Sequence, residues 1–494
     1  MLSFTICWGE IMPARDETAP FGEGDDRLPE HKAVSRRDFL RVAGLAGVAV
    51  GMGAGLGGLV AACGGTSGTT TTIAAVTSTT AAPASSTTVT TGATAGREIK
   101  VGFVTPLTGP IALFGVPDQY CASRWVEFAK PGLVCGDGQN HPISIIVQDS
   151  QSDTNRAAQV AGDLINNSKV DVIMAASTPD TVNPVADQAE ATGTPCFTND
   201  APWQDYFYGR GGKTDVGFKW TYHMFWGLED ITGTFADMWS KLSTNKVVGG
   251  MWPNDADGNS WSNATDGFPG VLPKDGFKVV DPGRYQNGTE DFTSQIAQFK
   301  NGGVEILTGV PIPPDFANFW KQAAQQGLKP KIVTVGKALL FPAAVEALGT
   351  LGNLVSTEVW WTPRHPFKSS LTGETCQQIA DDFTKRSGQQ WTQPLLHYGV
   401  FEVVVDALKR TKNVDSKDDI IAQIASTKME TLAGPVDFTA PVQLGTKHPV
   451  KNVYRTPLVG GQWIKGTAHP YELIVVDNVM APEIKVEGAL QPIV

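Results

Sequence analysis

From Ile99 onward, short and nearly continuous apolar runs alternate with segments of helical periodicity, and this alternation most constrains the fold. Ile99–Val104, Ile143–Asp149, Val170–Ala175 and Pro195–Thr198 read as strands, separated by helical patterns at Gly115–Lys130, Thr154–Ser168 and Val182–Thr192. A strand that is apolar at nearly every position must be buried on both faces, which happens when helices cover both sides of a parallel sheet. After an aromatic-rich passage, Trp203–Trp226, a second series begins. Its strands are Val247–Trp252, Val304–Thr308, Lys331–Val335 and Leu354–Trp361, with helices predicted at Ile231–Leu242, Phe292–Lys300, Asp315–Gln326 and Ala338–Leu348. Helices at Gly373–Ser387 and Leu395–Lys412 follow, then a tail rich in glycine, proline and short strands. Two doubly wound α/β lobes, with the chain crossing between them more than once, fit this order better than one very large sheet. The expected division is 97–225 for the first lobe, 226–359 for the second, 360–450 back in the first and 451–494 in the second.

The preceding residues do not read as fold. Residues 1–63 combine a polar extension, the twin-arginine stretch Ser35-Arg36-Arg37-Asp38-Phe39-Leu40-Arg41, and an uncharged, glycine-rich run from Val42 to Ala62 that closes on Cys63. Weak hydrophobicity suits an export signal better than a membrane span, so Arg36 and Arg37 are expected to direct export. Small residues before Cys63 make it the expected lipidation site, an uncleaved anchor being the other reading. Residues 64–96 are rich in threonine, alanine and serine, and the charge-free sequence cannot bury enough apolar surface to order itself. Such a tether reaches ~30 Å and would hold the folded body near the membrane. Gly53-Ala54-Gly55-Leu56-Gly57-Gly58 satisfies a dinucleotide-loop pattern but follows no strand, so it is signal-peptide glycine.

A net charge of −11 without a basic stripe excludes nucleic acid as a partner. Gly212-Lys213-Thr214 lacks the earlier glycine of a phosphate loop, and Asp255-Ala256-Asp257-Gly258-Asn259 lacks the closing glutamate of a calcium loop. Seven scattered histidines and no nucleophile elbow leave no metal site, cofactor or catalytic centre to nominate. Of the body cysteines, Cys121 and Cys135 are close enough in sequence to close a disulfide loop, with plain buried thiols as the alternative.

Three predicted strand ends carry the same chemistry. Val104-Thr105-Pro106-Leu107-Thr108, Ala175-Ala176-Ser177-Thr178-Pro179 and Cys196-Phe197-Thr198-Asn199-Asp200-Ala201-Pro202-Trp203 each offer small hydroxyls and backbone N–H groups before a helix, a seat for an anion. Together with Lys100–Gly115 and Ala189–Pro195, these segments resemble the type I periplasmic binding proteins, the leucine/isoleucine/valine-binding family that feeds ATP-driven importers. The resemblance covers about 97–494. It implies two Rossmann-like lobes joined by a three-strand hinge, a small-molecule solute in the cleft, permease subunits of an ABC transporter as partners, a monomer, and an exported lipoprotein on the outer face of the membrane. It does not imply an enzyme. First-lobe ligand contacts carried over fall on Phe114, Ser177, Thr178, Asn199, Ala201 and Trp203, and second-lobe contacts near Asn259, Ile312 and Lys337. Relatives that bind amino acids place a carboxylate where this chain has Lys337, so a lysine facing the cleft would reject an ammonium group unless Asp255 or Asp257 replaced the acid. The expected solute is small and carboxylate-bearing, aromatic or resembling a branched-chain amino acid, with two or three tryptophans walling the cleft. A receptor-coupled sensor or an exported hydrolase are the alternative functions.

Overall fold

The computed structural model describes residues 93–440, 442 and 449–493. Arg36, Arg37, Cys63 and the tether up to residue 92 lie outside the described residues. Two sheets organise the body. The first contains β1 (Ile99–Thr105), β2 (Ile143–Asp149), β3 (Val172–Ala175), β4 (Cys196–Thr198) and β5 (Thr221–Met224). The second contains β6 (Val247–Pro253), β7 (Ile306–Gly309), β8 (Ile332–Val335) and β9 (Ser356–Val359). The C-terminal region returns β10 (Val453–Tyr454) to the first sheet and adds β11 (Val459–Lys465) and β12 (Tyr471–Asp477) to the second. The first sheet runs β10-β5-β4-β3-β1-β2, parallel throughout. The second runs from the short strand Lys278–Val280 through β6-β7-β8-β9-β11-β12, parallel as far as β9 and antiparallel at the last two joins.

The local reasons are conventional. In β1, Val101, Phe103 and Val104 are buried because the strand sits between β2 and β3 with helices on both faces. Helix Thr154–Asn166 buries Ala157, Val160, Ala161, Leu164 and Ile165, the stripe of one helical face, and begins where Asp153 accepts the Arg156 N–H at 2.7 Å. Helix Cys376–Ser387 starts on a Thr375–Gln378 capping box and stops at Gly388, whose φ of 71° a side chain would resist. The helix predicted at Ala338–Leu348 shrinks to Pro342–Glu346, because Pro342 sets its first turn and the residues before it form the loop leaving β8.

The chain passes between the sheets three times: after Met224, after Val359, and between Tyr454 and Val459. The returning helices seal the first lobe. Trp125 donates its indole N–H to the Tyr398 carbonyl at 3.1 Å, and Arg124 pairs with Glu374 and Asp382. One cysteine expectation is corrected: Cys121 and Cys135 are free, separately buried thiols. Cys121 lies on helix Asp118–Phe128, while the Cys135 thiol points to the Leu133 carbonyl. Burial pushes the Cys135 thiol up to about 12, so it stays protonated. No described helix is long and apolar enough to cross a membrane.

Candidate functional site

The carboxyl ends of eight parallel strands converge on one narrow cavity between the sheets. From the first sheet come Phe114 beyond β1, Ser177 and Thr178 beyond β3, Asp200 and Pro202 beyond β4, and Phe225 and Trp226 beyond β5. The second supplies Asp257 and Trp261 beyond β6, Val310 beyond β7, Lys337 and Leu340 beyond β8, and Glu358 and Trp360 at the end of β9. Three of these residues hold a backbone that side chains ordinarily avoid: Ser177 (φ 147°), Asp200 (φ 70°) and Lys337 (φ 56°). Each such residue costs on the order of 1–3 kcal/mol, and strain of this kind gathers where side chains must be aimed. Ser177 and Thr178 lead into helix Pro179–Thr192, with Thr178 at its N-cap. The Ser177 hydroxyl lies 2.5 Å from that of Thr181.

Two buried ion networks set the electrostatics. His397, carried by helix His397–Arg410, bridges Asp118 through Nδ1 and Asp200 through Nε2, both at 2.6 Å. Burial opposes its charge, but the Asp200 and Asp118 carboxylates outweigh this and raise it to about 10, so the imidazole is charged at neutral pH. The second oxygen of Asp200, Oδ1, is buried and has no partner among the described residues. Across the cavity, Lys337 Nζ contacts Asp257 at 2.7 Å and Asp255 at 3.2 Å. Burial lifts Asp257 to about 6 against the pull of Lys337. Glu358 accepts the Lys337 backbone N–H at 3.1 Å and the Thr357 hydroxyl at 3.1 Å, and burial lifts its carboxyl to about 7. The indole N–H groups of Trp226, Trp261 and Trp360 are buried without an acceptor among the described residues. The cavity therefore offers unspent donors and an unspent carboxylate oxygen inside an aromatic wall. Among the described residues, no group of three His, Cys, Asp or Glu side chains is arranged to hold a metal ion.

A family model described as periplasmic binding protein matches residues 98–462. The chain belongs to the periplasmic binding protein family. Among its relatives is a Leu/Ile/Val-binding protein homolog 7 of Brucella abortus, 22% identical over 334 residues, which span 66% of this chain and 80% of that protein. Solved structures share the fold: the leucine-binding protein LivK of Thermotoga maritima, at 18% identity and TM-score 0.60, covers 77% of this chain and 99% of its own. A solute-binding protein of an ABC transporter from Rhodopseudomonas palustris, in complex with 3,4-dihydroxybenzoic acid, matches at 19% identity and TM-score 0.61 over 78% of this chain and 99% of its own.

This periplasmic binding protein brings Phe114, Ser177, Thr178 and Lys337 to the cavity wall. The other nominated residues lie off it, each for a visible reason. Asn199 donates its amide to the Met224 carbonyl, and the Ala201 carbonyl faces His223 Nε2 at 2.7 Å. Trp203 donates to Glu229 at 3.0 Å, beside the first crossing. Asn259 is exposed on the short helix Ala256–Trp261, and Ile312 caps helix Pro313–Gln325. Lys337 faces the cavity together with the two acids that the sequence offered beside it. Its ammonium is spent on Asp255 and Asp257, and Glu358 holds its backbone. Sequence reasoning did not nominate Asp200 or Glu358. Asp200 sits beside Asn199, but its partner His397 is 197 residues away, and no spacing rule joins them. Glu358 lies in the apolar run Leu354–Trp361, where a lone acid was the available signal.

Proposed function

We propose that this chain is the extracytoplasmic solute-binding component of an ABC importer, anchored through Cys63 after export directed by Arg36 and Arg37, and acting as a monomer. The observation that carries the solute-binding reading is the single cavity built from strand ends of both lobes, bordered by segments on which the chain crosses between them. A site divided in this way closes by hinge motion on whatever it holds.

The solute carries a carboxylate next to an apolar or aromatic body. Supporting this are the Ser177 and Thr178 hydroxyls at a helix N-terminus and the three indole N–H groups that find no protein acceptor. The names of similar structures agree, since leucine and 3,4-dihydroxybenzoic acid both bear a carboxyl group. Thermal melting with a panel of amino acids, aromatic acids, dicarboxylates and fatty acids tests the reading. A true solute at a hundred times its Kd stabilises the protein by ~2.7 kcal/mol. Turnover of a panel member, or no shift with any of them, would contradict it.

A further inference from the structure

The narrow cavity measures about 20 Å³, on the order of the room one water needs. The body of an apolar solute therefore has to go elsewhere, and a larger space lies next door. It is a groove of about 460 Å³, inside the roughly 300–1,000 Å³ usual for small-molecule sites. Leu113 and Val116 line it from the segment after β1, and Phe341 and Ala343 from the segment after β8, so both lobes contribute. Groove and cavity share a wall. Phe114 lines the cavity while its neighbour Leu113 lines the groove, and Leu340 lines the cavity while its neighbour Phe341 lines the groove. At the partition the Phe114 and Phe341 rings, one from each lobe, meet edge to face with centroids 5.0 Å apart. A further link runs through Gln393, which follows the groove residue Thr392. It accepts the Trp360 N–H at 2.9 Å and donates to the Glu358 carbonyl at 3.0 Å, and both of those residues line the cavity.

Resting on the solute-binding reading above, we propose that this groove is an outer compartment of the solute site, and that the solute is an elongated carboxylate whose charged end takes the narrow cavity while its apolar chain passes between Phe114 and Phe341 into the groove. The polarity of the two spaces sets the direction. Hydroxyls of Ser177 and Thr178 and the unpartnered indole N–H groups are on the cavity side, whereas Leu113, Val116, Phe341 and Ala343 offer the groove side an apolar face. Because the two rings at the partition belong to different lobes, opening the lobes parts them, and the lobes then close around the chain. A chain held there touches both lobes, so each methylene it buries favours the closed form.

The test is calorimetric titration of the full mature chain with straight-chain carboxylates from butanoate to dodecanoate, and with decanol. Affinity should rise with length, by about fourfold for each methylene that enters the groove. Val116 and Ala343 are exposed, stand on opposite lobes, and line the groove but not the cavity. Val116→Asp and Ala343→Asp should each weaken decanoate tenfold or more and leave butanoate unchanged. Two variants, each checked by its melting curve, keep the test sound if one fails to fold. Decanol that binds as tightly as decanoate supports the groove while removing the carboxylate from the solute reading, so the two fail separately. Affinity that does not grow with length, or a gain with length that both folded variants retain, would overturn the proposal and leave the solute-binding reading standing. No binding by any member of the series would overturn it as well.

Discussion

His397 ties helix Asp118–Phe128 to the loop after β4, because Asp118 and Asp200 approach the same ring from different elements. Its folded pKa of about 10 lies above its ordinary 6.5. The stability it contributes is fully present below pH 6.5 and is lost as pH rises through about 10. Thermal melts should accordingly fall across that window, and His397→Leu should lose most of the decline. The same variant leaves two buried carboxylates without their cation, for which we expect a destabilisation of ~3–5 kcal/mol in urea unfolding. An unchanged midpoint would show the triad to be decorative. At this scale the sequence was only partly legible. Ser177 and Thr178 stand out because hydroxyls before a proline at a strand end have a recognisable local chemistry. Asp200 and Glu358 owe their roles to partners brought together by tertiary structure, which a single sequence does not display.

Two helices from opposite sheets meet beside the cleft. Asp180, in the first turn of helix Pro179–Thr192, accepts the N–H of Ala256, the first residue of helix Ala256–Trp261, at 3.3 Å. Burial, and then the Asp255 charge, raises the Asp180 carboxyl, and Lys337 opposes this. Asp205 is raised well above its ordinary value by burial and by Asp257. Groups whose pKa rises when the lobes touch take up protons on closure, so closure is favoured at low pH and weakens as pH climbs above 3.8 through these raised values. Asp180→Asn keeps an oxygen for Ala256 but removes the charge. We expect it to tighten solute binding several-fold at pH 7.5 and to flatten the pH profile of affinity; an identical slope in wild type would remove Asp180 from the latch. Long elements with a clear period were readable in advance, as β2 (Ile143–Asp149) and helix Thr154–Asn166 illustrate. Helix Ala256–Trp261 was not, because six residues with Asp257, Gly258, Asn259 and Ser260 in a row look like a loop until Asp255 caps them. Yet this helix delivers Asp257 and Trp261 to the cavity.

For the whole molecule, the proposed order of export signal, tether and two-lobed body would suit capture of a solute close to a membrane. The two arginines and the cysteine should act separately. Exchanging Arg36 and Arg37 for lysine should keep the chain in the cytoplasm, whereas Cys63→Ala should export it but release it from the membrane fraction. A Cys63→Ala chain that stays fully membrane-bound would refute lipid anchoring. The crossings explain why the body can both hold and release a solute. Three passages between the sheets join the lobes, and Phe225, Trp226 and Trp360 lie on two of them, lining the cavity. Small-angle scattering of the mature chain, with and without a saturating solute identified by thermal melting, tests this account most directly. The radius of gyration should fall on binding as the lobes close. Superimposable scattering curves under conditions where calorimetry proves the site full would contradict it.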